Sequence, residues 1–407
     1  MHLLGVFNRD VSPADVAELS AKLGLHAKEA FAVGCDSRAG SFPFKLAALS
    51  GLLSAGCNAV DLGAVPSPVV AKTARDERIW GLHASADPYP SDYVGIKVYN
   101  PSGRAWEGDL RTSYNGVRAG SISRMDLSPD YSSQLLAEHD IEPMKIVVDC
   151  ANGPTGRLVP AILRSKGCQV LEINSSPSPS PLRGYEPAVS NIKDLRYMVS
   201  RTGADLGVAF DGSGSKASFV AGPHFLSSSR ALGLIMKFNG FRRAVVDVGA
   251  SSVLDEVGYV DRLPASEVAI AGVLEERGVP LGGGTMGVIF SEWSFAPDAI
   301  YLMMKILGLV SDQGVKLKEL NDALPQYFED AVMVRAGNPG NAVENATQAL
   351  NENELDLRDG VKAFLDGGWL WIKPMKGFVR IAAEAESRQK VKEFIEFGRN
   401  AVKPRKF

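Results

Sequence analysis

Four short stretches of this chain carry the side chains that could do chemistry. Ser85 lies in His83-Ala-Ser-Ala-Asp-Pro88, and Lys97 closes Gly95-Ile-Lys97 a little further on. A serine hydroxyl can serve as a nucleophile and a nearby lysine as its acid or base. The plainer reading of the same serine is a turn residue that satisfies neighbouring backbone groups. Asp211-Gly-Ser-Gly-Ser-Lys216 offers one carboxylate in a glycine-rich turn. Such a turn is a weak cation site, a nest of N–H groups for an anion, or simply a turn. In Gly282-Gly-Gly-Thr-Met-Gly-Val288 the only polar side chain is Thr285, either a ligand contact or a turn residue. Lys373-Pro-Met-Lys-Gly-Phe-Val-Arg380 gathers Lys373, Lys376 and Arg380, which could attract a phosphate or merely surround a hairpin.

The elements that must position these residues follow a repeating β-α-β rhythm. A helical pattern over Ala14–Leu25 leads to a strand at Ala30–Gly34, a helix at Lys45–Ala55 and a strand at Ala59–Gly63. The rhythm restarts at Lys145–Asp149, with a helix at Leu158–Lys166 and a strand at Gln169–Ile173. It restarts again at Arg243–Val248, with a helix at Val268–Arg277 and an apolar run at Gly287–Phe290. Such alternation predicts mostly parallel sheets covered by helices. The last part differs, with strands at Ala331–Val334, Leu370–Ile372 and Val379–Ala383 and a closing helix at Ser387–Val402. We therefore expect three α/β units at residues 1–126, 143–238 and 239–325, and a smaller α+β unit at 326–407. Leu127–Glu142 reads as a mostly polar linker with one helical stretch, and Ser175–Pro181 as a rigid loop.

Bulk properties narrow the function. The 407 residues exceed what one core organises, and the composition, 45% apolar and 22% charged, is that of a globular protein. A net charge of −3 gives no electrostatic footprint for nucleic acid or an anionic membrane. Cys35, Cys57, Cys150 and Cys168 lack paired spacing and read as reduced core thiols, and His26, His139 and His224 lack metal-ligand spacing. Trp293 and Trp371 read as packing residues. With no signal segment or long apolar run, a cytoplasmic protein that binds small molecules is the expectation, with a protein partner open.

Taken together, the motifs resemble those of the α-D-phosphohexomutases over essentially the whole chain and in that family's order. Val33-Gly-Cys-Asp-Ser-Arg38 is similar to its V-G-x-D-[ST]-R turn, and Ala59-Val-Asp-Leu-Gly-Ala-Val-Pro-Ser-Pro68 to its V-x-D-L-G-x-x-P-T-P segment. Lys145-Ile-Val-Val-Asp-Cys-Ala-Asn-Gly153 and Ala204-Asp-Leu-Gly-Val-Ala-Phe-Asp-Gly212 resemble its second domain. The resemblance implies a four-domain heart-shaped fold and a phosphoserine at Ser85 assisted by Lys97. It also implies a Mg²⁺ held by the loop at Asp211, and phosphosugar contacts from Arg38, Lys216, Thr285, Lys373, Lys376 and Arg380.

The polar groups within those motifs depart from the family pattern. Its T-A-S-H-N-P has Ala86 and Asp87 for the histidine and asparagine, and Val94 stands for the asparagine of N-G-I-K. Two of three metal aspartates in D-G-D-x-D-R are Ser213 and Ser215, and the arginine is Lys216. One carboxylate is a poor Mg²⁺ site, because the ion relies on anionic oxygens. Gly284, Met286 and Val288 replace the glutamate, serine and histidine of the sugar loop, and Leu4 replaces the arginine of G-I-R-G. The phosphate loop is two residues shorter than R-P-S-G-T-E-P-x-x-R. The resulting expectation is an impaired or altered family member that binds a phosphosugar or regulates a partner. The alternative is an active intramolecular phosphotransferase of carbohydrate metabolism that uses a phosphoserine.

Overall fold

The computed structural model describes residues 3–110 and 119–403. Among these, the strands form four sheets. The first has six strands in the order Leu3–Val6, Tyr93–Tyr99, Trp80–Ala84, Phe31–Cys35, Ala59–Ala64 and Ile122–Arg124. Its centre is parallel, and Phe31–Cys35 and Trp80–Ala84 are buried throughout, as strands covered on both faces must be.

The second sheet runs His224–Leu226, Ala217–Ala221, Leu206–Phe210, Lys145–Asp149, Gln169–Ile173, parallel in its last three strands. The third sets Tyr259–Leu263, Arg243–Asp247 and Leu281–Gly284 in parallel and adds Gly287–Phe290 antiparallel. The fourth is antiparallel, in the order Phe328–Arg335, Phe378–Ala385, Gly368–Met375, Val361–Leu365, Glu354–Asp356, and is backed by helix Arg388–Ala401. The α/β class, the mixed sheets and the separate C-terminal unit are as the sequence predicts.

The structure agrees with one expectation between the first two units and adds, among other elements, two buried helices. The helical stretch expected in Leu127–Glu142 is helix Ser128–Glu138, and the segment is more than a linker, since Tyr131 and Leu135 are buried in a core shared with the second and third sheets. Helix Ala299–Gln313 is buried along most of its length, so its polar residues are too few to reveal its period. Helix Ser228–Phe238 is hidden for the same reason. Asp298 caps the longer of these, accepting from the N–H groups of Ile300 and Tyr301, and its other oxygen accepts from Tyr131 and Trp293. All four cysteines are buried and unpaired. No helix among the described residues is long and apolar enough to cross a membrane.

An apolar seam joins the first and fourth units. Tyr89 and Tyr93 stack with ring centroids 5.1 Å apart, and Phe378 meets both rings, with Leu4 and Met375 packed alongside.

Candidate functional site

Loops at the carboxyl ends of the parallel strands converge, as ligand sites in open α/β sheets do. The loops after Cys35, Ala84, Phe210 and Gly284 carry Arg38, Ser85, Asp211 and Thr285 respectively. Their approach is close enough to require glycine. A Cβ on Gly212 would lie 2.3 Å from the Tyr185 ring and 3.1 Å from Asp87 Oδ1. One on Gly287, at φ +111°, would lie 2.3 Å from the Ser215 carbonyl oxygen. The loops enclose a cleft of about 580 Å³, with Lys373, Lys376 and Arg380 on the wall supplied by the fourth unit.

Ser85 is fully buried and is not among the residues lining this cleft. Its N–H donates to the Gly95 carbonyl at 3.0 Å, while its hydroxyl has no partner among the described residues. Lys97 does line the cleft, placed opposite His83 by the antiparallel pairing of their strands. Its ammonium lies 3.1 Å from Glu267, at the start of helix Glu267–Arg277. Burial works against the charged lysine, yet Glu267 more than offsets it and holds the group well above the usual lysine range. Lys97 is thus a fixed cation, unsuited to accept a proton near neutral pH.

Arg38, expected to contact substrate, sits outside the cleft lining and is only 2% exposed. It bonds Asp36 at 3.1 Å, Asp87 at 2.7 Å and the carbonyls of Pro90 and Tyr93, and lies 3.9 Å above the Tyr185 ring. These four side-chain hydrogen bonds tie the serine loop to the first sheet, which makes it a positioning residue.

The remaining cations are engaged. Lys216 and Arg380 both bind Glu186, at 2.7 Å and 2.6 Å. Burial would raise the Glu186 carboxyl, but Arg380 and Lys216 dominate and hold it far below the usual carboxylate range. Arg380 is buried, so the picture of three exposed basic residues around a hairpin does not hold for it. Lys373 reaches Asp359 at 2.8 Å and the Ala265 carbonyl at 3.0 Å, and Lys376 donates to the Leu4 carbonyl. Thr285 turns its N–H and hydroxyl toward Asp247 at 2.7 and 3.0 Å.

The residues at Asp211 do not fit the magnesium ion that the family pattern implies. Its two oxygens accept from the N–H and the hydroxyl of Ser215 at 2.8 and 2.6 Å, and Ser213 donates to Ser215. Burial, and then Asp87, push the Asp211 carboxyl up to about 7, and beside it stand only the neutral hydroxyls of Ser213 and Ser215, weak donors for a cation that relies on anionic oxygens. Asp87 brings a second carboxylate to the loop, but Arg38 holds one of its oxygens. Among the described residues no three His, Cys, Asp or Glu side chains are grouped to hold a metal. Adding Mg²⁺ to several millimolar is therefore expected to leave the melting temperature unchanged. An ion present at a hundred times its Kd would add about 2.7 kcal/mol and a visible upward shift.

Glu186 and Glu267, which line the cleft, and Asp247, which holds Thr285, are residues of the candidate site that sequence reasoning misses. Each acts on a cation or hydroxyl distant in the chain, so no local motif marks it.

The comparisons agree with this architecture. Family models described as phosphoglucomutase/phosphomannomutase, alpha/beta/alpha domain I and domain II, match residues 4–113 and 129–222. A "Probable phosphoglucosamine mutase" of Methanopyrus kandleri is 30% identical over 91% of this chain and 90% of its own length. A "Phosphoglucomutase/phosphomannomutase" of Thermococcus kodakarensis is 27% identical over 97% and 95%. The crystal structure of a phosphoglucomutase/phosphomannomutase family protein from Burkholderia thailandensis superposes with a TM-score of 0.81 at 20% identity, covering 98% of this chain and 95% of that one, a likeness of fold. A set of α/β units whose strand-end loops share one cleft defines the class. Within it, the chain belongs to the α-D-phosphohexomutase family.

Proposed function

We propose that this family member binds a sugar phosphate in the shared cleft without running metal-assisted phosphoryl exchange through Ser85. The observation that carries the reading is the condition of the two loops such exchange needs. The Ser85 hydroxyl is buried away from the cleft lining, and Asp211 is closed onto Ser215. The cleft keeps Lys216, Lys373, Lys376 and Arg380 on its wall, which supports a phosphate-bearing ligand once their present partners exchange. Loss of the sugar-reading side chains at Gly284, Met286 and Val288 weakens discrimination among hexoses, because an apolar wall separates isosteres poorly. A role in regulating or assembling with another protein is compatible with such binding.

A second reading, an active intramolecular phosphotransferase, is favoured by the mutase names of relatives matched over nearly their full length. It is also favoured by the survival of Ser85, Lys97 and Asp211 in one region. On the comparisons alone this reading is the stronger; the local geometry supports the first. Assays with Mg²⁺, a hexose bisphosphate and the phosphates of glucose, mannose and glucosamine separate them. No interconversion is expected, together with a raised melting temperature in at least one sugar phosphate. Turnover that vanishes in Ser85→Ala would establish the phosphotransferase, and the absence of any thermal shift near saturation would remove the binding reading.

A further inference from the structure

A second cavity, of about 270 Å³, shares no lining residue with the cleft. Arg230 of helix Ser228–Phe238 lies in its wall, together with Arg196 of helix Lys193–Thr202 and with Arg388 and Lys392 of helix Arg388–Ala401. Arg230 is only 3% exposed, and its guanidinium donates to neutral oxygens alone, the Asn321 side chain and the carbonyls of Asn321 and Pro325. Burial pulls it below the usual arginine range, and the nearby Glu329, Glu384 and Asp322 do not restore it. A buried cation without a paired counter-charge is costly, so the wall around it matters.

That wall adds more positive charge than negative. Arg388 donates to the Pro223 carbonyl and lies 5.4 Å from the centre of the Phe328 ring, while the side chains of Arg196 and Lys392 have no partner among the described residues. His224 stands 3.6 Å from Asp322. Two carboxyls, Glu329 and Asp330, line the same space. Burial, and then Glu384 opposite it in the strand pairing, push Glu329 up to about 7, so in mild acid it is largely neutral. Asp330 then stands against Arg196, Arg230, Arg388 and Lys392, an excess that suits an anion of more than one charge.

We propose that this second cavity binds a small dianionic oxyanion, a sulfate- or phosphate-type group, between Arg230 and the cations of the two flanking helices. Arg196 belongs to the second unit and Arg388 and Lys392 to the fourth, so the bound anion ties those units together away from the cleft. The site is regulatory in kind, because its ligand acts on the cleft only by fixing the wall that the fourth unit supplies. It stands whatever the cleft itself binds.

The test uses sodium sulfate on the intact protein at pH 6, with sodium chloride at equal ionic strength as reference. Sulfate is expected to raise the melting temperature beyond chloride and to slow amide exchange in helix Arg388–Ala401. The double variant Arg196→Gln, Lys392→Gln loses two side chains that hold nothing in place, and it should need about tenfold more sulfate for the same shift, the scale of a hydrogen bond to a charged group. The general stabilising action of sulfate is common to both proteins and cancels between them. A parent that answers sulfate no more than chloride, a double variant that answers like the parent, or a response lost instead in Lys376→Ala on the cleft wall each overturns the proposal. Should the double variant not fold, Arg388→Gln is read in the same way.

Discussion

Replacing Arg38 by methionine is expected to destabilise the protein by about 3–5 kcal/mol, the cost of removing one partner from a buried ion pair. The guanidinium is almost wholly enclosed and answers two carboxylates, Asp36 and Asp87, at 3.1 and 2.7 Å. Methionine fills much of the same volume, so the loss isolates charge and hydrogen bonding from packing. Asp36 is already pushed above its usual range by burial, and without Arg38 it must stay protonated or remain an unpaired anion. The denaturation midpoint of Arg38→Met measures the effect. The double variant Arg38→Met, Asp87→Asn should recover part of it, because one stranded charge is gone. A double variant no more stable than the single one would mean that Arg38 works through the Pro90 and Tyr93 carbonyls instead.

Glu186→Gln is expected to cost a similar amount, about 3–5 kcal/mol, for the converse reason. Here one buried anion serves two cations, Lys216 of the second unit and Arg380 of the fourth. The change should therefore appear as faster amide exchange along Phe378–Ala385, where the fourth unit loses its hold on the second. The pH dependence has a definite sign. A carboxyl depressed on folding stabilises the protein above its unfolded value, 4.5, and that contribution fades as pH falls through 4.5 and below. The unaltered protein should show this acid limb and Glu186→Gln should show a shallower one, since Asp10, Asp15, Asp261 and other depressed carboxyls remain. With Glu186 neutralised, the two cations are open to another anion, so inorganic phosphate should raise the variant's melting temperature more than the parent's. Equal stabilisation by phosphate would show that the pair is not reachable from the cleft.

The fold and the site were readable in the sequence to different degrees, for a physical reason. Strands such as Lys145–Asp149 and Gln169–Ile173 announce themselves by short apolar runs bounded by turns. Ala299–Gln313 does not, because a helix buried along most of its length offers too few polar residues to mark its period. At the site, glycine and motif spacing located the loops around Ser85, Asp211, Thr285 and Arg380. Their electrostatic state could not be read that way. Whether Lys97 is a base or a fixed cation depends on Glu267, and whether Arg380 is free depends on Glu186, each far away in sequence. Arg38 shows the same limit, since a motif arginine could face a ligand or a loop and only the buried Asp36 and Asp87 decide it.

The aromatic seam of Tyr89, Tyr93 and Phe378 bears on how the chain is made. Its first-unit half, with Leu4, is synthesised early, while the residues that cover it come almost at the end. On a ribosome, where chains emerge amino end first and units fold in turn, that tyrosine face waits uncovered through the making of two intervening units. Exposed apolar surface of this kind invites association between nascent chains. The last eighty or so residues are then, besides a wall of the cleft, the piece that takes this face out of water.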